Sequence, residues 1–146
     1  MAADPPFVDE HAIDIAAPRA AVWAGLERHV GSMLAADGGM LRAVLGTEPR
    51  AGFAVAESMA AERLVLAGRH RFARYRLAFE LDDAEHGSTR LRARTYAAFP
   101  GLRGSVYRGL VIGSRAHVVA TRRILRSIRR RTLDQGRPAP RPGSTT

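Results

Sequence analysis

The chain contains no cysteine, which excludes disulfides and thiolate metal centres and suits a reducing compartment. It contains no lysine either. All 23 basic residues are arginine, a bias that reads as coding-sequence composition rather than a need at each site. No stretch approaches the ~18 consecutive apolar residues that a membrane span requires. The opening MAADPPFVDEHAIDIAAP has neither a basic n-region nor an apolar h-region. The expectation is therefore no signal peptide and a cytoplasmic location. There is no glycine loop for phosphate, no nucleophile elbow, and no His/Asp/Glu set at metal-motif spacing. No cofactor and no metal are expected, and no residue is assigned a catalytic role.

What is present is enough for one domain. The chain has 146 residues, 46% of them hydrophobic, and a net charge of +9. The charge is unevenly spread. Seven acids against three arginines lie between Asp4 and Glu48, whereas His86–Leu133 holds twelve arginines and no acid. Such a field favours anionic partners in general without choosing one.

Residues 7–15 alternate, with Phe7, His11, Ile13 and Ile15 on one parity, and predict a strand. Pro18 suits the first position of a helix carrying Val22, Trp23 and Leu26, and Gly31 is expected to close it. A second short helix is expected over Met33–Leu45. Short strands follow at Phe53–Ser58, Glu62–Ala67, Arg71–Leu81 and Thr89–Phe99, then a long helix from about Arg103 to Arg131. Residues 1–6 form an N-terminal arm, 7–131 a single domain, and 132–146 a Pro/Gly/Ser-rich tail expected to be disordered. The architecture predicted is α+β, an antiparallel sheet covered on one face by helices.

The segment AGRHRFARYRLAFEL tests the sheet. A hairpin at Gly68-Arg69 would set Leu66 against Arg71, Leu64 against Ala73 and Glu62 against Tyr75. A second hairpin would set Leu81 against Thr89, Phe79 against Leu91, Leu77 against Ala93 and Tyr75 against Thr95. Both place the apolar residues on one face, and a one-residue slip would mix the faces. The other face carries Arg63, Arg74, Arg76, Arg90, Arg92 and Arg94, with Glu80 opposite Arg90. It reads as a solvated face, or alternatively as an anion-binding one, because Arg63 would oppose Arg74 and Arg76 would oppose Arg94. On the long helix, Val106, Leu110, His117, Ile124 and Ile128 share one side, with Ser114 and Thr121 among them. Ile112 and Val119 lie on the arginine side.

The run Ile13-Asp14-Ile15-Ala16-Ala17-Pro18, followed by Val22-Trp23 and Leu26 and closed by the long final helix, resembles the START-like helix-grip (SRPBCC) superfamily. That superfamily includes polyketide cyclase/dehydrase and lipid-transport proteins. The element order matches over residues 7–131. The resemblance implies a curved antiparallel sheet gripping the C-terminal helix around an apolar cavity. The superfamily has no single catalytic motif, so no catalytic residue is carried over.

The expected lining of that cavity is polar in part: His11, Glu57, Glu62, Arg71, Tyr75, Thr95, Tyr107, Ser114, His117 and Thr121, with Trp23, Phe79 and Leu110 as apolar wall. A mostly apolar space with a few convergent polar groups is the usual form of a small-molecule site. The opposing reading pairs Glu57 or Glu62 with Arg71 at a wet sheet rim. The first functional expectation is binding of a hydrophobic small molecule such as a lipid, polyketide or isoprenoid. The second is a cyclase or dehydratase, with His117 or a buried Glu moving a proton and Tyr75 or Tyr107 holding a carbonyl oxygen. The third is a basic module. The missing aromatic platforms argue against nucleic acid. An anionic membrane surface and a homodimer stay open as partners.

Overall fold

The computed structural model describes residues 4–36, 54–70, 73–98, 109 and 115–136. The chain runs β1 (Phe7–Ile15), α1 (Arg19–Ala36), β2 (Ala54–Met59), β3 (Arg63–His70), β4 (Ala73–Asp83), β5 (Thr89–Ala98) and α2 (Ala116–Gln135). The strands form one antiparallel sheet in the order β1-β5-β4-β3-β2. β2 to β5 are a meander, and β1 closes the far edge beside β5. Both helices pack against one face of this sheet, which gives the expected α+β helix-grip arrangement. No helix among the described residues is long and apolar enough to cross a membrane.

The corner between β1 and α1 is held by short-range bonds. The Pro18 carbonyl accepts from the N–H groups of Ala21 (3.0 Å) and Val22 (3.1 Å), so proline stands as the cap just before the helix, one position ahead of the expected first helical one. The fully buried Thr89 hydroxyl donates to the Ala17 carbonyl at 2.8 Å and ties the start of β5 to this turn. Gly31 does not end α1. The helix continues through it to Ala36, because an exposed glycine costs only about 1 kcal/mol against alanine and neighbouring Val30 is anchored in the core. The second short helix expected at Met33–Leu45 therefore begins inside α1, and its later part lies outside the described residues.

Strand parity came out as the apolar pattern requires, but the ladders sit elsewhere. Leu66 faces Leu77, Leu64 faces Phe79, and Ala67 faces Arg76. In the second hairpin Leu81 faces Leu91, Phe79 faces Ala93 and Leu77 faces Thr95. Both ladders differ from the expected ones by an even number of positions, so each side chain keeps its face. Ile15, Val22, Trp23, Leu26, Leu66, Phe79, Leu91, Leu125 and Ile128 make one continuous core between the sheet and the helices. α2 begins at Ala116 after Arg115, whose φ of 56° is left-handed, and it runs past the expected end at Arg131 to Gln135. Thr132 is buried there, which holds the extra turn in place.

Most arginines of the outer face are paired with acids. Arg90 forks onto Asp14 at 2.7 and 3.0 Å, and Arg94 reaches Glu10 at 2.6 Å. Arg63 contacts Glu80 and Glu57, Arg92 contacts Asp82, and Arg76 contacts Asp4. The two expected like-charge oppositions are replaced by a different one: Arg63 faces Glu80 and Arg76 faces Tyr96, while Arg74 faces Arg69. Arg90 holds the Asp14 carboxyl below its ordinary range chiefly through these hydrogen bonds. Under this layer Val65 and Ala78 are fully buried, consistent with long side chains lying flat across the outer face.

Candidate functional site

The polar residues that converge do so at one end of the inner face. β1 alternates from Asp9 to Ile15, so Asp9, His11, Ile13 and Ile15 point toward the helices. Ile13 and Ile15 join the core, while Asp9 and His11 lie beyond it. α2 lays its first turn across this end and brings in His117. His117 Nε2 stands 2.8 Å from Asp9 Oδ2, and His11 Nε2 stands 3.0 Å from the same oxygen. A carboxylate only accepts, so each ring presents its Nε2–H to it. The three side chains are about four-fifths buried, at 21%, 18% and 16% exposure for Asp9, His11 and His117.

Two further atoms mark the site. Asp9 Oδ1 and Thr95 Oγ1 are buried and have no hydrogen-bond partner among the described residues. Asp9 and Thr95 are register partners across β1 and β5, so both side chains leave the same face of the sheet side by side. A buried polar atom left unpaired costs about 1–3 kcal/mol, and such atoms concentrate where something else is bound. Tyr75 is half-buried on the same face, opposite Gly68 and Ala97. Among the described residues no group of three His, Asp or Glu has the arrangement of a metal site.

The remaining predicted residues fall into other places. Trp23 and Phe79 belong to the packed core. Thr121 is buried, and its hydroxyl donates to the His117 carbonyl at 2.8 Å, one turn back along its own helix. Glu57 is not inward. A bulge between Val55 and Glu57 sets Glu57 against Val65, and its carboxylate meets Arg63 at 3.4 Å on the outer face. Glu62 is exposed in the turn before β3, next to Ala61 with a φ of 60°, and does not oppose Tyr75. Arg71, Tyr107, Leu110 and Ser114 lie outside the described residues. Phe7 also changes face: a bulge between Phe7 and Asp9 turns it outward, onto the edge of Tyr96 with ring centroids 5.7 Å apart.

Asp9 is the residue that sequence reasoning missed. Its parity with His11 and Ile13 was the available signal. A carboxylate between two mostly buried imidazoles has no other mark in the sequence, because one of those imidazoles is 108 residues away.

A separate cleft of about 540 Å³ lies at the opposite end, between the start of α1 and the end of α2. Its walls are mostly small and apolar, from Ala16, Ala17, Pro18, Ala21 and Ala24, with Arg28 and Leu133 at its sides. It holds none of the predicted site residues, and its polar lining is Arg28, Thr132 and Gln135. The candidate site that gathers predicted residues is the cluster of Asp9, His11 and His117.

No family model and no curated protein matches the chain. The fold is similar to that of a conserved protein from Geobacillus kaustophilus, at 12% identity and a TM-score of 0.53, over 86% of this chain and 95% of that one. Lower on the same scale are TTHA0849 from Thermus thermophilus and CalU16 from Micromonospora echinospora. The first is 16% identical over 90% of this chain and all of its own, with a TM-score of 0.48. The second is 13% identical over 87% of this chain and 84% of its own, with a TM-score of 0.39. The likeness to the Geobacillus protein is one of fold: an antiparallel sheet closed on one face by an N-terminal and a C-terminal helix.

Proposed function

We propose that the chain binds a hydrophobic small molecule against the inner face of its sheet, with the Asp9–His11–His117 cluster holding the molecule's polar end. The observation that carries this reading is the pair of buried, unpartnered oxygens, Asp9 Oδ1 and Thr95 Oγ1, set beside an apolar face. They supply an acceptor and a hydroxyl donor where a mostly apolar wall meets a few polar groups, the usual composition of a ligand site. A lipid, polyketide or isoprenoid with a hydroxyl or carbonyl end has the matching chemistry.

Native mass spectrometry of the purified protein, with organic extraction, tests the reading together with a thermal-shift panel of such lipophiles. A bound lipophile at about a hundred times its Kd adds about 2.7 kcal/mol, a rise of several degrees. A protein that carries nothing and gains no melting temperature from any member of the panel would not be a lipophile binder.

One observation favours a second, catalytic reading. His117 is oriented by a carboxylate at 2.8 Å, the relation of a general base to the group that positions it. In a cyclase or dehydratase the imidazole would take a proton from a carbon beside a carbonyl and return it to a leaving oxygen. Once a ligand is identified, Asp9→Asn, which keeps an Oδ1 acceptor but not the carboxylate charge, should slow its conversion more than it weakens its binding. Equal turnover in both proteins removes the dyad from any mechanism.

A further inference from the structure

The arginines of the sheet and of α2 differ in what they meet. On the outer sheet face Arg63, Arg76, Arg90, Arg92 and Arg94 each meet an acid, and Arg74, opposite Arg69, is the exception among the described residues. On α2, Arg122, Arg123, Arg126, Arg129 and Arg130 are all exposed, and among the described residues none has an acidic partner. Among the described residues their polar contact is a weak one from Arg130 to Ser127 at 3.5 Å. The helix contains a single acid, Asp134, in its last turn.

Helical periodicity puts this charge in line with two side chains that ought to be inside. Val119 is 61% exposed and Leu133 is 41% exposed. At 100° per residue Val119, Arg122, Arg123, Arg126, Arg130 and Leu133 fall on one ridge, opposite the buried Thr121, Leu125, Ile128 and Thr132. The two apolar residues are ~21 Å apart along the helix, at 1.5 Å per residue. The ridge is thus a straight row of guanidiniums with an aliphatic side chain near each end.

We infer that this ridge of α2 docks the protein on an anionic lipid surface. Guanidiniums pair bidentately with phosphate, and a row of four or more near a membrane reads as headgroup binding. Val119 and Leu133 add what only a membrane rewards, a short aliphatic reach below the headgroups. A second copy of the chain is repelled by the same charge. Nucleic acid would accept the arginines but offers nothing to the two exposed aliphatic residues, and α2 carries no aromatic side chain for base stacking.

Flotation with liposomes tests this on the full chain. Vesicles of phosphatidylcholine with about 30 mol% phosphatidylglycerol should bind the protein at about 0.05 M salt, and pure phosphatidylcholine vesicles should not. Raising the salt to about 0.5 M should release most of it. The exposed triple variant Arg122→Gln/Arg126→Gln/Arg130→Gln should lower partitioning on the order of a hundredfold, from about fivefold per arginine. Val119→Ser/Leu133→Ser should reduce it several fold, whereas Arg92→Gln on the sheet should not change it. Failure to float at low salt, or an unchanged triple variant with native circular dichroism, overturns the inference. So does displacement by a short DNA duplex together with an unaffected Val119→Ser/Leu133→Ser variant, which would make the ridge a nucleic-acid face.

Discussion

His117 Nε2 and Asp9 Oδ2, 2.8 Å apart, join the first turn of the last helix to the beginning of the first strand. The contact spans 108 residues and sets where α2 begins to cross the sheet. Hydrogen bonds to a charged group are worth about 1.5–3 kcal/mol when buried. Asp9→Asn should therefore lower the unfolding free energy by about that much in urea titration, and His117→Ala by a similar amount. Because the two act through one bond, the double variant should be less destabilised than the sum. Full additivity would mean that the bond is not made in solution.

Gly25 is required by the helix–helix contact. A Cβ at this position would lie 2.2 Å from Thr132 Oγ1 and 3.3 Å from its Cβ. Helix propensity alone would favour alanine by about 1 kcal/mol. Overpacking a closed contact costs about 1–3 kcal/mol, so the clash should win. Gly25→Ala should lower the melting temperature, and adding Thr132→Ala should restore part of it. A Gly25→Ala protein more stable than the parent would show that the helices can move apart at no cost.

The outer ion pairs should differ in worth according to exposure. Asp14 and Arg90 are about half exposed, and such pairs contribute about 0–1 kcal/mol. Glu80 is 21% exposed and meets both Arg63 and Arg94, at 3.3 and 3.5 Å. Glu80→Gln should thus cost more than Asp14→Asn, and its cost should persist better at high salt. Equal and small costs in denaturation curves at both sites would show that the Glu80 cluster behaves as ordinary surface charge.

His29 should make stability depend on pH. Both its ring nitrogens are buried without a partner among the described residues. Burial, and then the nearby Arg131, push its pKa below the ordinary 6.5. The folded state therefore favours the neutral ring. The contribution is complete above about pH 6.5, where both states are neutral, and is lost as pH falls through the folded value. The denaturation midpoint should drop on going from neutral to acidic pH, and His29→Leu should flatten that drop. An identical pH profile in the variant would assign the slope to other groups.

Strand parity was legible in the sequence, because the side-chain period of a strand is two and only one face of this sheet is packed by helices. Leu64, Leu66, Leu77, Phe79, Leu81 and Leu91 all lie on the face that their alternation specifies. The long final helix and the first helix were legible for the same kind of reason, apolar periodicity, with Pro18 marking the start of the first helix to within one position. The ladder positions were not. Leu66 opposite Leu77 rather than Arg71 depends on where the hairpin turns, and any even displacement preserves the faces equally well. Two bulges, one before Asp9 and one before Glu57, also escaped the pattern, since an extra residue reverses parity without changing composition. They turned Phe7 and Glu57 outward. Composition counted the arginines but could not divide them: acids drawn from β1, β2 and β4 pair with most of those on the sheet face, while those of α2 meet none among the described residues. The Asp9–His117 pair belongs wholly to the tertiary structure. Local periodicity tells each residue which way to point, and only the packing of α2 across β1 decides which distant residue it meets.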